Sequence, residues 1–447
     1  MHTLNSIARN RWGYNSKSSK LLYTADIEPI LLYGCEIWGT AIDKIHIKRK
    51  LLSAQRLSAI SITKAYRTAP GDALLVIADL IPIDLKIKER IWKYYQIKYA
   101  INNISKDNFD KTIQKIGIKE PAIEISNIIT KEKLDYYPNI HVFHPTISLP
   151  IKLTENLDNN NNIKIYTDGS KTDTGVGCSV VVRENKKNIH QAHYKLATYC
   201  TINQSESLVI FNALKWVLKN LKQINNKGVT IYSDSKVALQ QLKKLNANLP
   251  IVFQSIKIII TLQDSININL NWVKGHSSNP GNDRADLLAR KASDKNLNIS
   301  YNRIPLTWLH QKIRSYIQTK WQERWEKSTT GRLTYQFFPQ IQKRIKNKHF
   351  VPSFNITQIL MEHGNFRAYL HRFLGKTNGK CSCNLQEDED SQHVIYSCPI
   401  YSNERKRLIE QIRENNELWP CELSILVSNK DIYKDFKTFL KAIKILE

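Results

Sequence analysis

Two short segments of the sequence share one pattern. Ile165-Tyr166-Thr167-Asp168-Gly169-Ser170 matches Ile231-Tyr232-Ser233-Asp234-Ser235-Lys236, each an apolar stretch ending in Thr or Ser, then Asp, then a small residue. In open α/β sheets functional groups collect beyond the carboxyl ends of strands. If the two stretches are parallel neighbours, Asp168 and Asp234 stand side by side. Asp also ends strands and caps helices, so Asp234 has a second reading as the cap of a helix over 235–245.

Glu206 and Asp286 extend the constellation. On a helix, Glu206 shares a face with Ile210 and Ala213, the stripe that should pack on a sheet, and no Lys or Arg lies on that stripe nearby. A buried carboxylate is costly unless it is paired, protonated or bound to a metal. Asp286 opens a helix whose core face is Ala285, Leu288, Ala289 and Ala292. Two carboxylates at about 4 Å repel by about 4 kcal/mol at an effective dielectric near 20. Hard divalent cations reverse that sign, and oxygen ligands suit Mg²⁺. Two such ions can activate water and stabilise a leaving oxygen in phosphodiester hydrolysis. The residues thus point to a metal-dependent nuclease-like site.

A second cluster lies in the tail: Cys381-x-Cys383-x9-His393-x4-Cys398. Three thiolates and one imidazole make a plausible tetrahedral zinc site, and reduced cysteines in a surface loop are the alternative. Cys35, Cys178, Cys200 and Cys421 have no partner at metal spacing and are read as packing residues. An odd, scattered set of seven Cys fits a reducing compartment better than a disulfide framework.

The elements that must position these groups follow from periodicity. Residues 163–297 read as an α/β domain: strands over 163–168, 176–183, 190–196, 229–233 and 266–273, and helices over 204–221, 235–245, 251–262 and 281–295. Three strands before any helix, then alternation, indicate a mixed five-stranded sheet with flanking helices. Residues 1–105 read as helical, 106–162 as a linker with one helix near 107–134, and 298–447 as a helical tail carrying the Cys/His cluster.

Charge says what such a chain meets. Lys and Arg number 66 against 40 Asp and Glu, a net charge of +26. The excess is +8 over 1–105, −1 over 106–162, +9 over 163–294 and +10 over 295–447, with +13 concentrated in 295–386. Basic blocks separated by a neutral stretch predict modules that face a polyanion, above all nucleic acid. No window approaches 18 apolar residues without a charge, and the first ten residues hold no apolar signal region. The expectation is an intracellular protein, nuclear or cytoplasmic, with no membrane partner.

The motifs together resemble type 1 ribonuclease H. Thr167-Asp168-Gly169-Ser170, Gln204-Ser205-Glu206-Ser207, Ser233-Asp234-Ser235 and Trp272-Val273-Lys274-Gly275-His276 with Asn282-Asp283-Arg284-Ala285-Asp286 come in the family's order and near its spacings. The resemblance implies a ribonuclease H-like fold. It also implies that Asp168, Glu206, Asp234 and Asp286 bind two Mg²⁺ ions, and that His276 assists proton transfer or product release. The reaction it implies is endonucleolytic hydrolysis of RNA in an RNA/DNA hybrid. A hybrid differs from duplex DNA by ribose 2′-hydroxyls in a wide minor groove. Thr201, Asn203 and Gln204 are candidates for contacting them, with N-capping of the Glu206 helix as the alternative. The stretch 236–250 lacks the Trp-rich basic protrusion that some family members carry.

The flanks resemble a specific context. Arg11-Trp12-Gly13, the run from Leu22 through Pro29 and Gly34 to Trp38-Gly39, and Gln55-Arg56-Leu57 are similar to non-LTR retrotransposon polyproteins of the Jockey-like, insect-type group. There the segment follows the polymerase palm as a thumb-like part. No Asp-Asp dipeptide occurs in the chain, so no polymerase activity is expected. The His-x4-Cys half of the tail cluster resembles a retroviral zinc knuckle. The leading expectation is a hybrid ribonuclease in a retrotransposon-derived chain. The alternative is a catalytically inactive nucleic-acid-binding remnant, and a DNA nuclease or transposase on the same fold is a third.

Overall fold

The computed structural model describes residues 13–101, 104–129, 134–137, 141–154, 162–224, 227–275, 279–294, 297–383 and 385–443. Two compact units emerge. One comprises 96–106 with 123–312, and the other comprises 1–95, 107–122 and 313–447. Among the described residues no helix is long and apolar enough to cross a membrane.

The first unit is built on a seven-stranded sheet. Its strands are β1 (Ile151–Lys152), β2 (Ile163–Lys171), β3 (Val176–Glu184), β4 (Lys187–Leu196), β5 (Val229–Ser233), β6 (Ile268–Trp272) and β7 (Ile299–Tyr301). In space the order is β1-β6-β5-β2-β3-β4-β7. β2 and β3, and β3 and β4, are antiparallel; the other neighbours run parallel. The five expected strands are all present. The two added ones are edge strands of two and three residues, too short to leave a periodic trace in sequence.

Side chains alternate across this sheet, as the two-residue period requires. Ile163, Ile165, Val180 and Val182 face one side and pack against α1 (Ile202–Lys219) and α3 (Pro250–Gln263), with α2 (Lys236–Lys243) alongside. Tyr166, Val181 and Tyr232 face the other side, beneath Ala285 and Leu288 of α4 (Pro280–Asp294). The rings of Tyr166 and Tyr232 stack across β2 and β5 at 5.2 Å.

α4 approaches the sheet closely because glycine stands beneath it. A Cβ on Gly177 would lie 2.5 Å from the Ser293 nitrogen and 2.6 Å from the Ala289 carbonyl oxygen. Ser179 Oγ, two residues along the strand, donates to the Ala285 carbonyl at 2.6 Å. Local capping fixes the other helices. Thr201 and Gln204 form a reciprocal capping box on α1, and Ser235 accepts from the Ala238 nitrogen on α2.

The second unit is helical, and it joins sequence regions more than 200 residues apart. Leu74, Val76 and Ile77 share one buried core with Trp321, Trp325, Phe337, Ile359, Phe436 and Phe439. Thr357 Oγ1 donates to the Thr63 carbonyl at 2.6 Å, and Arg324 pairs with Asp72 at 2.9 Å and with Asp84 at 3.0 Å. The basic tail and the N-terminal helices, which read as separate regions in sequence, therefore bury each other's apolar faces. The segment read as a linker holds two helices, Lys106–Lys115 and Lys119–Ile128, where one was expected. Phe109, Ile113 and Ala122 are buried.

Replacing Gly177 with Val should lower stability by about 1–3 kcal/mol, because the contacting atoms are backbone and cannot swing away. Thermal unfolding of the two proteins tests this, and an unchanged midpoint would show that α4 does not rest on Gly177 as described.

Candidate active site and metal centres

Parallel pairing of β2 with β5 ends at Thr167 opposite Ser233, so Asp168 and Asp234 emerge together just past it: Asp234 follows the end of β5, while β2, expected to end at Asp168, runs on to Lys171 paired with β3 alone. Both belong to the α4 face by alternation. Glu206 comes from α1 on the opposite face and reaches the same point beside Gly169. A Cβ there would sit 2.5 Å from Ser205 Oγ and 2.9 Å from Glu206 Oε1. The missing side chain lets the Gly169 N–H donate to Glu206 Oε1 at 3.1 Å. Carboxylate oxygens of Asp168, Glu206 and Asp234 lie within 4.8 Å of one another. Asp286 joins them from α4, lining with Asp168 and Asp234 a cleft of about 220 Å³ that Asn282 and Arg290 complete.

The electrostatics follow from burial and crowding. Asp168 is 5% exposed and Glu206 6%. Burial, with the charges of Asp234 and Asp286, pushes Asp168 up to about 8, against a smaller pull from Arg290. Burial raises Glu206 as well, helped by Asp234 and Asp168 and opposed by the Gly169 N–H. Glu206 Oε2 is buried with no hydrogen-bond partner among the described residues. An orphaned carboxylate oxygen amid two further carboxylates is a donor set that fits a hard divalent cation. These residues suit Mg²⁺.

Neighbouring groups hold the acids in place. Trp272 Nε1–H donates to the Asp234 carbonyl at 2.9 Å, and Lys236 Nζ lies 3.8 Å above the Trp272 ring. Thr167 Oγ1 donates to the Tyr232 carbonyl at 3.0 Å, tying β2 to β5 one residue before the acids. Arg290 Nε donates to Asp286 Oδ1 at 2.8 Å. Asn282, Asp286 and Arg290 fall at i, i+4 and i+8 on α4. That spacing is visible in sequence, and it adds Arg290 and a lining role for Asn282 to the predicted site.

The other predicted residues fall out differently. His276 lies outside the described residues. Gly275 immediately before it is described, and a Cβ there would stand 3.1 Å from Asp234 Oδ2, so this loop's backbone reaches the carboxylates. Thr201 and Gln204 are engaged in the capping box. Gln204 is buried and its Nε2 donates to Asp135 Oδ2 at 2.6 Å and to the Arg303 carbonyl at 3.1 Å. Capping, not an open surface, describes these two. Asn203 is partly exposed, with its amide 3.4 Å from Gln241 Oε1.

In the helical unit, one ligand atom each from Cys381, Cys383, His393 and Cys398 converges within 4.8 Å, and all four residues are buried. Cys381 Sγ is 3.8 Å from Cys398 Sγ, and Cys383 Sγ is 3.4 Å from His393 Nε2. These are close to the edges of a tetrahedron with zinc bond lengths of about 2.3 Å to sulfur and about 2.0–2.1 Å to nitrogen. His393 Nδ1 meets Glu387 Oε2 at 2.6 Å, a carboxylate–histidine arrangement that leaves Nε2 toward the thiols. Arg405 is buried and donates to the carbonyls of Val394, Ile395 and Cys398, bracing the segment that carries two of the four groups.

The family model for RNase H matches residues 160–294. A putative 115 kDa protein in the type-1 retrotransposable element R1DM of Drosophila melanogaster is 34% identical over 104 residues, covering 22% of this chain and 10% of that one. A retrovirus-related Pol polyprotein from type-1 retrotransposable element R1 4 of Nasonia vitripennis is 27% identical over 131 residues, covering 29% and 33%. A corresponding R1 polyprotein of Popillia japonica is 32% identical over 129 residues, covering 28% and 48%. The matched stretches span less than half the length of each of these relatives. A crystal structure of LC11-RNase H1 with an RNA/DNA hybrid aligns over 30% of this chain and 99% of its own, at 22% identity and a TM-score of 0.26.

Because Asp168 and Glu206 bind protons more tightly folded than unfolded, metal-free protein should lose stability as pH rises from about 4 through about 8. The slope is at most about 1.4 kcal/mol per pH unit for each such group. Mg²⁺ should flatten it. Thermal unfolding at pH 5, 6.5 and 8, with Mg²⁺ or EDTA, measures both effects, and a stability that rises over this range in EDTA would contradict the assigned burial. For the tail, purified protein should carry one zinc per chain by elemental analysis, and Cys383→Ala should lose it together with thermal stability. Zinc-free protein with an unchanged midpoint would leave the cluster as packed, reduced cysteines.

Proposed function

We propose that the ribonuclease H domain at residues 160–294, in a chain similar to R1-type retrotransposon polyproteins, hydrolyses the RNA strand of RNA/DNA hybrids. The observation that carries this reading is the convergence of Asp168, Glu206 and Asp234 within 4.8 Å beside a cleft shared with Asp286. A cluster this repulsive and this buried has no structural use that an apolar core would not serve better. Two Mg²⁺ ions, when bound by the four carboxylates, would supply Lewis acidity toward the scissile phosphate and activation of water.

The chain's own groups set the geometry for that chemistry. Gly169 N–H orients Glu206 through Oε1 and leaves Oε2 for a ligand. Trp272 fixes the turn that carries Asp234, and Arg290 steers Asp286. The cleft, at about 220 Å³, has room for a phosphate group, and Lys171 stands at its rim. His276 is assigned to proton transfer or product release on its motif alone. Asn203, partly exposed at the start of α1, is the one of the three predicted contact residues retained as a candidate for the 2′-hydroxyls of the RNA strand. Cleavage should leave 5′-phosphate and 3′-hydroxyl ends, and in the parent element it would remove template RNA after first-strand synthesis.

The test is cleavage of an end-labelled RNA/DNA hybrid by the full chain, with Mg²⁺ or EDTA. Wild type should cut only with Mg²⁺, and Asp234→Asn should lose at least about 100-fold in rate while remaining folded. Tight hybrid binding by folded wild-type protein without cleavage would overturn the enzymatic reading and leave a nucleic-acid-binding remnant.

A further inference from the structure

A second cleft lies in the helical unit. It measures about 440 Å³ and is lined by Phe337, Phe338 and Pro339, by Lys343, Arg344, Lys346, Asn347 and His349, and by Ser424, Val427 and Ser428. No Asp or Glu lines it. The sequence places it inside the most basic block of the chain, residues 295–386 at +13. The short helix Ile341–Lys346, its N-cap Gln340 and the turn after it supply all of its basic and amide side chains.

Arg344 is the unusual member. It is 4% exposed, and no carboxylate ion-pairs with it among the described residues. Its Nη2 donates to the Ile77 carbonyl at 2.6 Å and its Nη1 to the Asn347 carbonyl at 3.3 Å, while Nε has no partner among the described residues. The guanidinium lies 4.7 Å from the Phe350 ring centroid and 5.4 Å from that of Phe338. Asp79 acts on it through space, but that carboxylate already holds Lys20 Nζ at 2.9 Å. Lys20 and Lys348 add positive charge close by. Glu422, hydrogen-bonded to Ser424 Oγ at 3.3 Å, is the acid beside the rim.

A buried charge without a counterion is costly. Here the acid that acts on it, Asp79, is shared with Lys20, and Lys343 and Lys346 stand exposed at the opening. The Asn347 amide is given to the Val427 carbonyl at 2.6 Å and the Ser424 hydroxyl to Glu422, so the attraction for an anion comes from Lys343, Lys346 and the unpartnered Arg344 Nε.

We propose that this cleft binds the phosphate backbone of a nucleic-acid strand, as a holding site separate from the cleavage site. Phe338 and Pro339 give the cleft an apolar wall against which the sugar of the strand can rest, while the lysines take the phosphates. This places affinity for nucleic acid in the basic tail, whereas 236–250 of the α/β unit carries no Trp-rich protrusion.

The experiment measures binding of a fluorescent 20-nucleotide DNA strand to the full chain by anisotropy in EDTA, across a salt series. Lys343→Glu/Lys346→Glu should weaken binding at least tenfold and reduce the log–log salt slope by about 1.4, at about 0.7 per phosphate contact for a single strand. Arg49→Glu/Lys50→Glu, two exposed cations of the same unit outside the cleft, should change binding by less than threefold. Inorganic phosphate at constant ionic strength should displace the strand only weakly, since one phosphate replaces several contacts. An unchanged affinity and slope in the cleft variant, or an equal loss in the Arg49/Lys50 variant, overturns the proposal. So does full displacement by low-millimolar phosphate, which would make the cleft a free-phosphate site. Both variants should keep the wild-type unfolding midpoint. If the cleft variant does not, Lys346→Gln alone, with an expected slope change of about 0.7, replaces it, and an unchanged slope there is equally decisive.

Discussion

Everything in the α/β unit is arranged around one repulsion. Three carboxylates share a space under 5 Å across, largely out of water, and the backbone holds them there. The restraint is the parallel ladder between β2 and β5, reinforced by the hydrogen bond from Thr167 to the Tyr232 carbonyl and by the stacked rings of Tyr166 and Tyr232. Glu206 enters from the opposite face only because Gly169 has no side chain. The sheet thus spends rigidity to keep together groups that would separate if free, a form of preorganisation suited to electrostatic catalysis.

Much of this was legible in the residues. The repeated strand-Asp pattern named Asp168 and Asp234, because the run of residues leading to each is a local property. Glu206 was legible as a misfit, an acid on an apolar stripe without a cation in reach. Asn282 and Arg290 were readable at helical spacing but carry no chemistry alone, so only the cleft shows their part. Gln204 illustrates the opposite case. Next to Glu206 it reads as a substrate contact, yet its partners, Asp135 and the Arg303 carbonyl, lie 69 and 99 residues away. No local pattern reports bonds at that separation.

The same limit applies to the flanks. Helical periodicity over Ile45–Thr63 and over the tail shows that each needs an apolar partner, but it does not say which. Trp321 and Trp325 packing with Leu74 and Ile77 is a long-range choice made by shape and volume. The Cys/His cluster is intermediate. Its spacing marked four ligand-type residues as a group, whereas Glu387 behind His393 and Arg405 behind the chain turn became visible only in three dimensions.

That shared core has a consequence for how the chain is made. The α/β unit is, in effect, an insertion between the two halves of a helical body. During synthesis its strands and helices are complete by about residue 312, while the helical body still lacks Phe436 and Phe439. The N-terminal helices meet their first tail partners, Trp321 and Trp325, only after about 240 further residues have been added. At about 5–20 residues per second that delay is tens of seconds, long compared with collapse and helix formation. Residues 45–80 are therefore a stretch dependent on protection during biogenesis, and the α/β unit is the part able to fold first.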